Sequence, residues 1–443
     1  MRYIASAGTP PGEESLTLTE RLRTASCVAI LTVIVATCAI PVARASGSNA
    51  EWTVMIYLDG DNNLDPDSVV DIGEMKMVGS TAKVNVLALW DRYDGPANLY
   101  QVLPGELKLL DGLTVNGIAV NGQEISMTDW HVLKAFVDYS TANFPANHYM
   151  LDLWDHGNAF GYTCWDDHWL LPWTPSPAGA VSLNEVGQAI AGTSMDILTY
   201  DGCTIGMSEI AYQLAQLPPS MGVQIQYLVA SEEYIPNNGY AYDAVLGHMN
   251  SITDVSAGAV AKMLADDYAA TYSPHGAAKG SSTVGLSVID LAKMAPIAPV
   301  LKSLTGILKD GLIADFSRYH DMISEARGEA NLGWSLNGWD DRVDIGTFLA
   351  TLSSLSSDPN VKDLANQALG IIKDAVYVAN TPALASMSAY GLGVWFPSSV
   401  SSLRNANTGG MGVLSEYSLT FAFSQDAGWL SFLHAYWGKT PKK

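Results

Sequence analysis

Apolar residues occur along this chain in two patterns. Short continuous runs are typical of strands buried on both faces of a parallel sheet, whereas apolar residues that recur every three or four positions are typical of helices. The predicted strands are Trp52–Leu58, Val84–Trp90, Tyr149–Trp154, Met195–Tyr200, Gln224–Ala230, Thr283–Leu291 and Tyr390–Phe396. Helical stretches separate most of these runs, and this alternation predicts an open α/β sheet with mostly parallel strands.

Helical spacing dominates the second half of the chain. The predicted helices are Asp65–Val78, Trp130–Tyr139, Val181–Ala191, Ala257–Tyr272, Met294–Lys309, Leu312–Glu329, Val343–Leu355, Val361–Val378 and Trp429–Trp437. No linker rich in Pro, Ser or charge interrupts the chain. We therefore predict a sheet domain that carries the chemistry over residues 46–290. Residues 291–443 are predicted to form a mainly helical portion with one further strand, packed on the sheet.

The N-terminal segment has the features of an export signal. Two arginines precede the apolar run Ala25–Val42, which is followed by the small-x-small pattern of residues 43–45. This arrangement predicts a signal peptide over residues 1–45, cut before Ser46, and a secreted, periplasmic or extracellular protein. An uncleaved membrane anchor is the alternative, because about 18 apolar residues reach the lower limit for spanning a bilayer.

Cysteine content and charge narrow the function classes. Removal of the signal takes Cys27 and Cys38 with it and leaves Cys164 and Cys203, which excludes a disulfide scaffold but leaves one bond between those two open. The chain carries 45 Asp and Glu against 23 Lys and Arg, a formal net charge of -22. Such a balance offers no basic face for nucleic acid or anionic membrane, and it attracts cations.

Two predicted strands end in residues that could react with a substrate. His156 follows Tyr149–Trp154, and Cys203 follows Met195–Tyr200, directly before a predicted helix. Ligands of open parallel sheets bind at the carboxyl ends of the strands, and a helix N-terminus there favours a thiolate. Imidazole beside thiol supplies a proton carrier and a nucleophile, and the N–H groups of Gly157 and Cys203 could stabilise an oxyanion. The pattern predicts acyl transfer, most simply peptide hydrolysis. A small buried hydrophobe is the alternative for Cys203.

Metal binding is the weaker interpretation of two other groups of residues. Asp and Asn alternate over Asp59–Asp67, as in a calcium loop, but the glycine and distal glutamate of an EF-hand are missing, so capping of turns and helices is favoured. His156, Cys164 and His168 only loosely approximate the spacing of a zinc site. No metal ligand is therefore predicted.

Five motifs make the chain resemble a known family. VMIYLDGDNNLD, LDLWDHG, ILTYDGCTIGMSEIAY, VASEEYIPNNGYAYD and YGLGVWFP together resemble the clostripain family of cysteine peptidases, relatives of caspases, legumain and gingipains. The resemblance implies a caspase-like three-layer α/β/α fold and a catalytic dyad of His156 and Cys203. It also implies that Asp201 lies in the pocket for the residue before the cut bond, with Glu232 as a second candidate. A carboxylate there implies a preference for Arg or Lys.

The function expected from this resemblance is that of a secreted cysteine endopeptidase cutting after Arg or Lys. The expected partners are protein or peptide substrates with basic residues, with no nucleic acid, no membrane once the signal is cleaved, and a monomeric enzyme. No cofactor is expected to be required, and the resemblance leaves calcium open. The alternative is a non-catalytic secreted binding protein that keeps the fold, favoured if Cys203 is bonded to Cys164.

Two departures from the family pattern limit which properties of the family can be inferred for this chain. Asn158 and Phe160 stand where the family commonly shows a glycine and a tryptophan, so the local oxyanion geometry can differ. Family members are often activated by self-cleavage at a basic residue between the histidine and the cysteine. Residues 157–202 contain no Lys or Arg. The enzyme therefore works as an intact chain, is cleaved elsewhere, or lacks the basic preference.

Overall fold

A mixed sheet of nine strands forms the centre of the part of the chain that the structure describes. The computed structural model describes residues 50–170, 173, 176, 179–217, 219–222, 224–278, 283–331, 342–399, 417 and 420–438. The predicted signal segment, with Cys27 and Cys38, lies outside the described residues. Asn49–Lys443 forms one compact unit.

Seven of the thirteen described strands lie close to the seven predicted apolar runs. The thirteen strands are β1 (Ala50–Gly60), β2 (Val84–Arg92), β3 (Gly95–Leu103), β4 (Glu106–Leu109), β5 (Thr114–Val115), β6 (Ile118–Ala119), β7 (Ala146–Trp154), β8 (Ser194–Asp201), β9 (Gln224–Ala230), β10 (Gly285–Asp290), β11 (Arg342–Asp344), β12 (Val376–Asn380) and β13 (Gly393–Trp395). The order in the main sheet is β12-β10-β9-β8-β7-β1-β2-β3-β4. The five strands from β9 to β2 are parallel, and antiparallel strands flank them on both sides. The predicted mostly parallel α/β sheet is confirmed.

Helices cover both faces of this sheet. They are α1 (Asp65–Val78), α2 (Trp130–Asn143), α3 (Leu183–Ala189), α4 (Ser208–Ala215), α5 (Tyr242–Ser251), α6 (Ala257–Thr271), α7 (Leu291–Met294), α8 (Ile297–Ala314), α9 (Phe316–Glu329), α10 (Ile345–Leu355), α11 (Pro359–Ala375), α12 (Pro382–Ala385), α13 (Phe423–Asp426) and α14 (Trp429–Tyr436). A short 3₁₀ turn spans Pro219–Met221.

The sheet divides the core into two clusters because successive side chains of a strand point to opposite faces. In β1, Met55 and Tyr57 pack into one cluster, whereas Val54, Ile56 and Leu58 pack into the other. The first cluster includes residues of α2 to α4 and of α7 to α11, and the second includes residues of α1, α5 and α6. The caspase-like three-layer arrangement follows, and it explains why β1 is an almost continuous apolar run.

Side chains at the starts of several helices explain why these helices begin where they do. Asp129 accepts a hydrogen bond from a backbone N–H of the first turn of α2. Ser182 and Glu185 form a capping box at α3. Asp344 and Asp358 each accept a hydrogen bond from a backbone N–H at the start of α10 and α11, as Asp129 does at α2. These bonds satisfy N–H groups that have no partner inside a helix.

The sheet contains a strand that the sequence pattern does not predict. The helix expected over Val361–Val378 ends at Ala375, and the chain continues as β12, which pairs with β10. The strand expected at Tyr390–Phe396 is shorter, and β13 pairs with β11 outside the main sheet. Strands from both predicted portions of the chain thus contribute to one sheet, and the boundary at residue 290 stays a prediction.

Among the described residues, one stretch, residues 291–314, is long and apolar enough to cross a membrane by length and composition. It comprises α7 and α8, and its apolar residues Leu301, Leu304 and Leu308 lie in the core cluster against other helices. Its hydrophobicity is therefore that of a buried core helix.

Candidate active site

The two predicted reactive residues lie at the same height on neighbouring strands. Strands β7 and β8 are parallel partners, and Trp154 pairs with Asp201. His156 and Cys203 each follow that pair by two residues. Both line a cleft of about 320 Å³ at the carboxyl edge of the sheet. The other lining residues are Leu64, Asp67, Trp154, Asp155, Asp201, Gly202, Tyr234, Ile235, Pro236, Asn237 and Gly239.

Two glycines allow the ends of β7 and β8 to approach each other. A Cβ atom on Gly157 would lie 2.5 Å from the carbonyl oxygen and 3.0 Å from the nitrogen of Cys203. A Cβ atom on Gly202 would lie 2.9 Å from the carbonyl oxygen of Asp155. Any other side chain would push the strands apart. The structure therefore brings together Gly157 and Cys203, the two residues predicted to donate to an oxyanion.

The Cys203 thiol donates a hydrogen bond to the carbonyl oxygen of Ile235, at 3.7 Å. Burial raises the pKa of this thiol; the Ile235 contact opposes that change, the charge of Asp201 adds to it, and the charge of Arg342 opposes it. The prediction that a helix N-terminus holds a thiolate is wrong. Helix α4 begins only at Ser208, so Cys203 does not directly precede a helix N-terminus.

The segment between Cys203 and α4 is not helical, for a structural reason. The Thr204 and Gly206 N–H groups donate to the carbonyl oxygens of Glu233 and Ser231, just beyond β9. The Gly206 carbonyl oxygen accepts from the Gly393 N–H of β13. Thr204 adopts a left-handed conformation with φ of 61°. Pairing on both sides thus keeps the chain out of a helix.

His156 is held by a residue that the sequence did not single out. Its Nε2 atom lies 2.9 Å from Oδ1 of Asn63, in the loop after β1. Because a carboxamide oxygen only accepts, Nε2 carries the proton and Nδ1 is left as an acceptor. Burial lowers the pKa of this imidazole, which Asp167 partly opposes, so the ring is neutral. The described contacts include no hydrogen bond from the ring to Cys203.

Asp201 forms an acidic part of the cleft. Its Oδ2 atom accepts a 2.8 Å hydrogen bond from the Tyr240 N–H and lies 3.1 Å from the Tyr242 hydroxyl. Burial raises the pKa of this carboxyl to about 7. The Tyr242 hydroxyl is also 2.7 Å from Asp152 Oδ2. Asp71 lies behind Trp154, whose Nε1–H donates to it at 2.7 Å.

Glu232 does not reach the cleft. It is 2% exposed, and it does not appear among the described residues that line the cavity. Burial raises its pKa, and the neighbouring carboxylate of Asp344, at the start of α10, adds to this rise. The structure therefore places the second predicted pocket residue on the side of β9 that faces β11.

The two cysteines among the described residues are both free. Cys164 is fully buried in the core cluster, whereas Cys203 is partly exposed in the cleft. The structure thus lacks the disulfide that would favour the binding-protein alternative. Within the described part of the chain, the side chains that could jointly hold a metal ion are Asp61, Asp91 and Asp166. His156, Cys164 and His168 do not form such a group there.

The two departures from the family pattern have structural roles. Asn158 Oδ1 accepts hydrogen bonds from the N–H groups of Phe160 and Tyr162, which closes a turn after His156. The Phe160 ring packs against those of Trp395 and Tyr417. These contacts anchor the loop after β7 on the C-terminal portion of the chain.

An open, mostly parallel α/β sheet with a thiol and an imidazole in one cleft at its carboxyl edge is the architecture of a thiol hydrolase. A sequence model of the clostripain family, peptidase family C11, matches residues 56–335. The chain belongs to the clostripain family, and it is a cysteine peptidase that acts on protein or peptide substrates.

Relatives and solved structures agree with this assignment. Clostripain of Hathewaya histolytica is 26% identical over 384 residues, which cover 74% of this chain and 70% of that protein. A secreted C11 cysteine protease from Bacteroides thetaiotaomicron, in complex with an irreversible peptide inhibitor, superposes with a TM-score of 0.58 at 18% identity, covering 86% of this chain and 99% of that one. An inactive zymogen C11 protease from Parabacteroides distasonis gives the same values. These structures share the fold.

Proposed function

We propose that this protein is a secreted, monomeric cysteine endopeptidase that cuts peptide bonds after Arg or Lys, with Cys203 as nucleophile and His156 as general base and acid. One observation carries this proposal: Cys203, His156 and the buried carboxylate of Asp201 line a single cleft. The thiol and the imidazole can carry out acyl transfer, and the carboxylate can bind the cationic side chain of Arg or Lys.

The reaction begins with proton transfer from the Cys203 thiol to the neutral imidazole of His156. The sulfur then attacks the scissile carbonyl carbon, and N–H groups of Gly157 and Cys203 stabilise the oxyanion. The C–N bond breaks as the imidazolium gives its proton to the leaving amine. Water attacks the resulting thioester, the imidazole takes its proton, and the acid product leaves with the thiol restored.

The starting protonation states match this sequence of steps. Burial raises the thiol pKa and lowers the imidazole pKa, so the resting pair is uncharged. The Cys203 hydrogen bond to Ile235 must break before attack. Ile235 belongs to the loop that also lines the cleft through Tyr234, Pro236 and Asn237. A substrate that displaces this loop would break the hydrogen bond between the thiol and Ile235, and the thiol could then react with that substrate.

Selection of a basic side chain follows from charge and burial. Asp201 is 5% exposed, and no salt bridge of the described residues involves it. A guanidinium or ammonium group that enters the cleft lowers the pKa of this carboxyl and gains a charge-assisted hydrogen bond. Asp67, which also lines the cleft, adds negative charge there. The formal net charge of -22 attracts basic peptides from a distance.

Export is supported by the sequence pattern of residues 1–45 and by the fold shared with a protease described as secreted.

Hydrolysis of short fluorogenic peptides tests the proposed activity. The mature protein under reducing conditions should cleave peptides ending in Arg or Lys, and Cys203→Ala should lower the rate at least 1,000-fold, by about 4 kcal/mol in the barrier. Cys164→Ala removes the other thiol and should keep the activity. An acyloxymethyl ketone with a basic P1 residue should modify Cys203. Equal rates in the wild type and Cys203→Ala, or labelling at Cys164, would refute the proposal.

A further inference from the structure

A second carboxyl group is buried next to Asp201. It belongs to Asp152 of β7, which is 2% exposed and is not among the described residues that line the cleft. Oδ1 of Asp152 accepts a 3.2 Å hydrogen bond from the Asp201 N–H. Oδ2 of Asp152 lies 2.7 Å from the Tyr242 hydroxyl, which is also 3.1 Å from Oδ2 of Asp201. One buried hydroxyl therefore bridges the two carboxyl groups.

No lysine or arginine balances the charge of this pair in the described part of the chain. The salt bridges there that involve Lys or Arg include neither Asp152 nor Asp201. The Tyr242 hydroxyl has a single hydrogen, so it can donate to only one of the two carboxyl groups at a time. Two ionised carboxylates in one buried site repel each other strongly. We therefore expect the pair to hold one proton.

The surroundings decide which of the two carboxyl groups keeps that proton. Asp201 lines the cleft and accepts a further 2.8 Å hydrogen bond from the Tyr240 N–H, so it is the better site for the negative charge. Burial raises the pKa of Asp152 well above its usual range, and the charge of Asp201 adds to the rise. Because Oδ1 of Asp152 accepts from a backbone N–H, the proton lies on Oδ2, facing Tyr242.

A proton on Asp152 sets the direction of the hydrogen bonds through Tyr242. The Asp152 O–H donates to the tyrosine oxygen, and the tyrosine hydrogen is left for Asp201. We propose that Asp152 and Tyr242 are positioning residues for substrate selection: protonated Asp152 donates to Tyr242, and Tyr242 donates to Asp201, which is thereby held as the anion that binds the Arg or Lys side chain of the substrate. The identity of that side chain rests on the proposed function.

This arrangement leaves one oxygen of Asp201 for the substrate. Oδ2 accepts from Tyr240 and Tyr242, whereas the described hydrogen bonds include none to Oδ1. A hydrogen bond to a charged acceptor is stronger than one between neutral groups. Donation by Tyr242 should therefore keep Asp201 ionised at a lower pH than burial alone would allow.

Other titratable groups also face Asp201, so the measurement has to separate their effects from its own. They are Asp71 and Glu74 of α1, Tyr240 before α5, Tyr268 and Tyr272 of α6, Cys203 after β8, and Asp67, Asp155 and His156 in the cleft. The reactive pair acts on every peptide, so its titration cancels in the ratio of kcat/KM between a peptide with Arg at P1 and one with citrulline, its neutral isostere. This Arg-to-citrulline ratio should rise with pH around the Asp201 pKa of about 7.

Tyr242→Phe removes the hydroxyl and keeps the ring. We expect the Arg-to-citrulline ratio at pH 7 to fall about 10-fold, through KM more than kcat, because Asp201 loses a donor to its charged form. The loss of that donor raises the Asp201 pKa, so the midpoint of the ratio should move up by about one pH unit. The matched control is Tyr268→Phe, whose buried hydroxyl has no hydrogen-bond partner in the described structure and which should keep both values.

Substitutions of Asp152 test its protonation. Asp152→Asn keeps an oxygen for the Asp201 N–H and an N–H donor for Tyr242, so the ratio and its midpoint should stay as in the wild type. Asp152→Leu has a similar shape without either group, and it should lower the ratio as Tyr242→Phe does. Asp363→Asn removes a carboxylate from an exposed position of α11 and is the control for the change in net charge.

Two kinetic results would overturn the proposal. An unchanged ratio and midpoint in Tyr242→Phe would show that its hydroxyl does not hold Asp201. A lower ratio or a moved midpoint in Asp152→Asn would show that Asp152 acts as a charged group. If the wild type cleaves Arg peptides through Cys203 but Tyr242→Phe keeps full selectivity, the proposed function stands and this inference fails.

Infrared spectroscopy tests the protonation of Asp152 without any peptidase activity. The difference between the spectra of Cys203→Ala and of the same protein with Asp152→Asn, recorded at pH 7, should contain the C=O stretching band of a protonated carboxylic acid. A carboxylate band in its place would refute the proposal, even for a protein that cleaves no peptide.

Discussion

Asp201 is the residue at which burial most directly changes the chemistry of the cleft. The carboxyl is held by Tyr240 and lies next to Asp152, yet its pKa of about 7 leaves it half ionised at neutral pH. A carboxyl in this state responds strongly to the charge of a ligand. The Arg or Lys side chain of the proposed substrate would ionise it fully, whereas a neutral side chain would leave this carboxyl without a charged partner and favour its protonated form.

Replacing Asp201 should therefore change selectivity more than turnover. Asp201→Asn keeps the shape of the side chain and removes the charge, so we expect kcat/KM on Arg substrates to fall by about 10- to 100-fold, corresponding to a charged hydrogen bond of about 1.5–3 kcal/mol. Cleavage of matched peptides with a neutral P1 residue should change little. The ratio of the two rates is the measurement, and Asp363→Asn is the control. An unchanged ratio would remove Asp201 from the pocket.

The proposed reactive residues could be singled out in the sequence because each follows a continuous apolar run. Parallel strands present their carboxyl ends at one edge, so His156, Cys203 and Asp201 could be grouped without knowing the fold in detail. Asn63 and Ile235 could not be assigned roles in this way. They reach the site from other loops, and nothing in their local pattern indicates which way their polar atoms point. Glu232 follows β9 but points to its other side, which strand-end position alone does not reveal.

At the level of secondary-structure elements, the ends of β7 and β8 can lie close together because Gly157 has no side chain. Gly157→Ala would place a methyl group 2.5 Å from a backbone oxygen of Cys203. Neither strand can move easily, because both are buried in the middle of the sheet. We expect a loss of activity of at least 100-fold with a drop in Tm, measured by peptide hydrolysis and thermal unfolding.

The matched control for this change is Gly370→Ala in α11. A Cβ atom there has nothing within 4 Å. Alanine in a helix interior is favoured over glycine by about 0.5–1 kcal/mol, so this variant should be slightly more stable and fully active. If Gly157→Ala behaved like the control, the close approach of the two strands would not matter for the site.

The elements that the sequence predicts well are those with a long, clear period. Strand β1 and helix α8 are examples, because burial selects apolar residues at regular positions. The sequence predicts that α4 begins directly after Cys203, which is too early: Ile205 fits a helical spacing, but its neighbours pair with residues just beyond β9 and with β13. Strand β12 was missed because five residues directly after a helix carry too short a pattern. Whether such a short segment forms a strand depends on whether the fold places it beside another strand that is distant in sequence.

At the level of the whole molecule, buried acids should make stability fall as pH rises. Burial raises the pKa of Asp201 to about 7 and those of Asp71 and Asp166 to about 9. A carboxyl with a raised folded-state pKa binds its proton more tightly in the folded state. Its stabilising effect is complete below the unfolded pKa near 4 and is lost as pH rises through the folded value.

We therefore expect the protein to have a lower Tm at pH 8.5 than at pH 6, by a few degrees. Asp71→Asn keeps an acceptor for Trp154 and should reduce the difference, because one buried charge is no longer formed. Calorimetric scans at the two pH values provide the measurement. A Tm that is equal or higher at pH 8.5 would contradict this assignment of the titrating groups.

The position of β12 has a consequence for the fate of damaged molecules. Residues 376–380 cover the edge of β10, and helices from the same portion of the chain cover one face of the sheet. Loss of that portion by proteolysis would expose an unpaired strand and a broad apolar surface, which is a template for aggregation. Trimming from this end should remove the peptidase from solution instead of releasing a smaller active fragment.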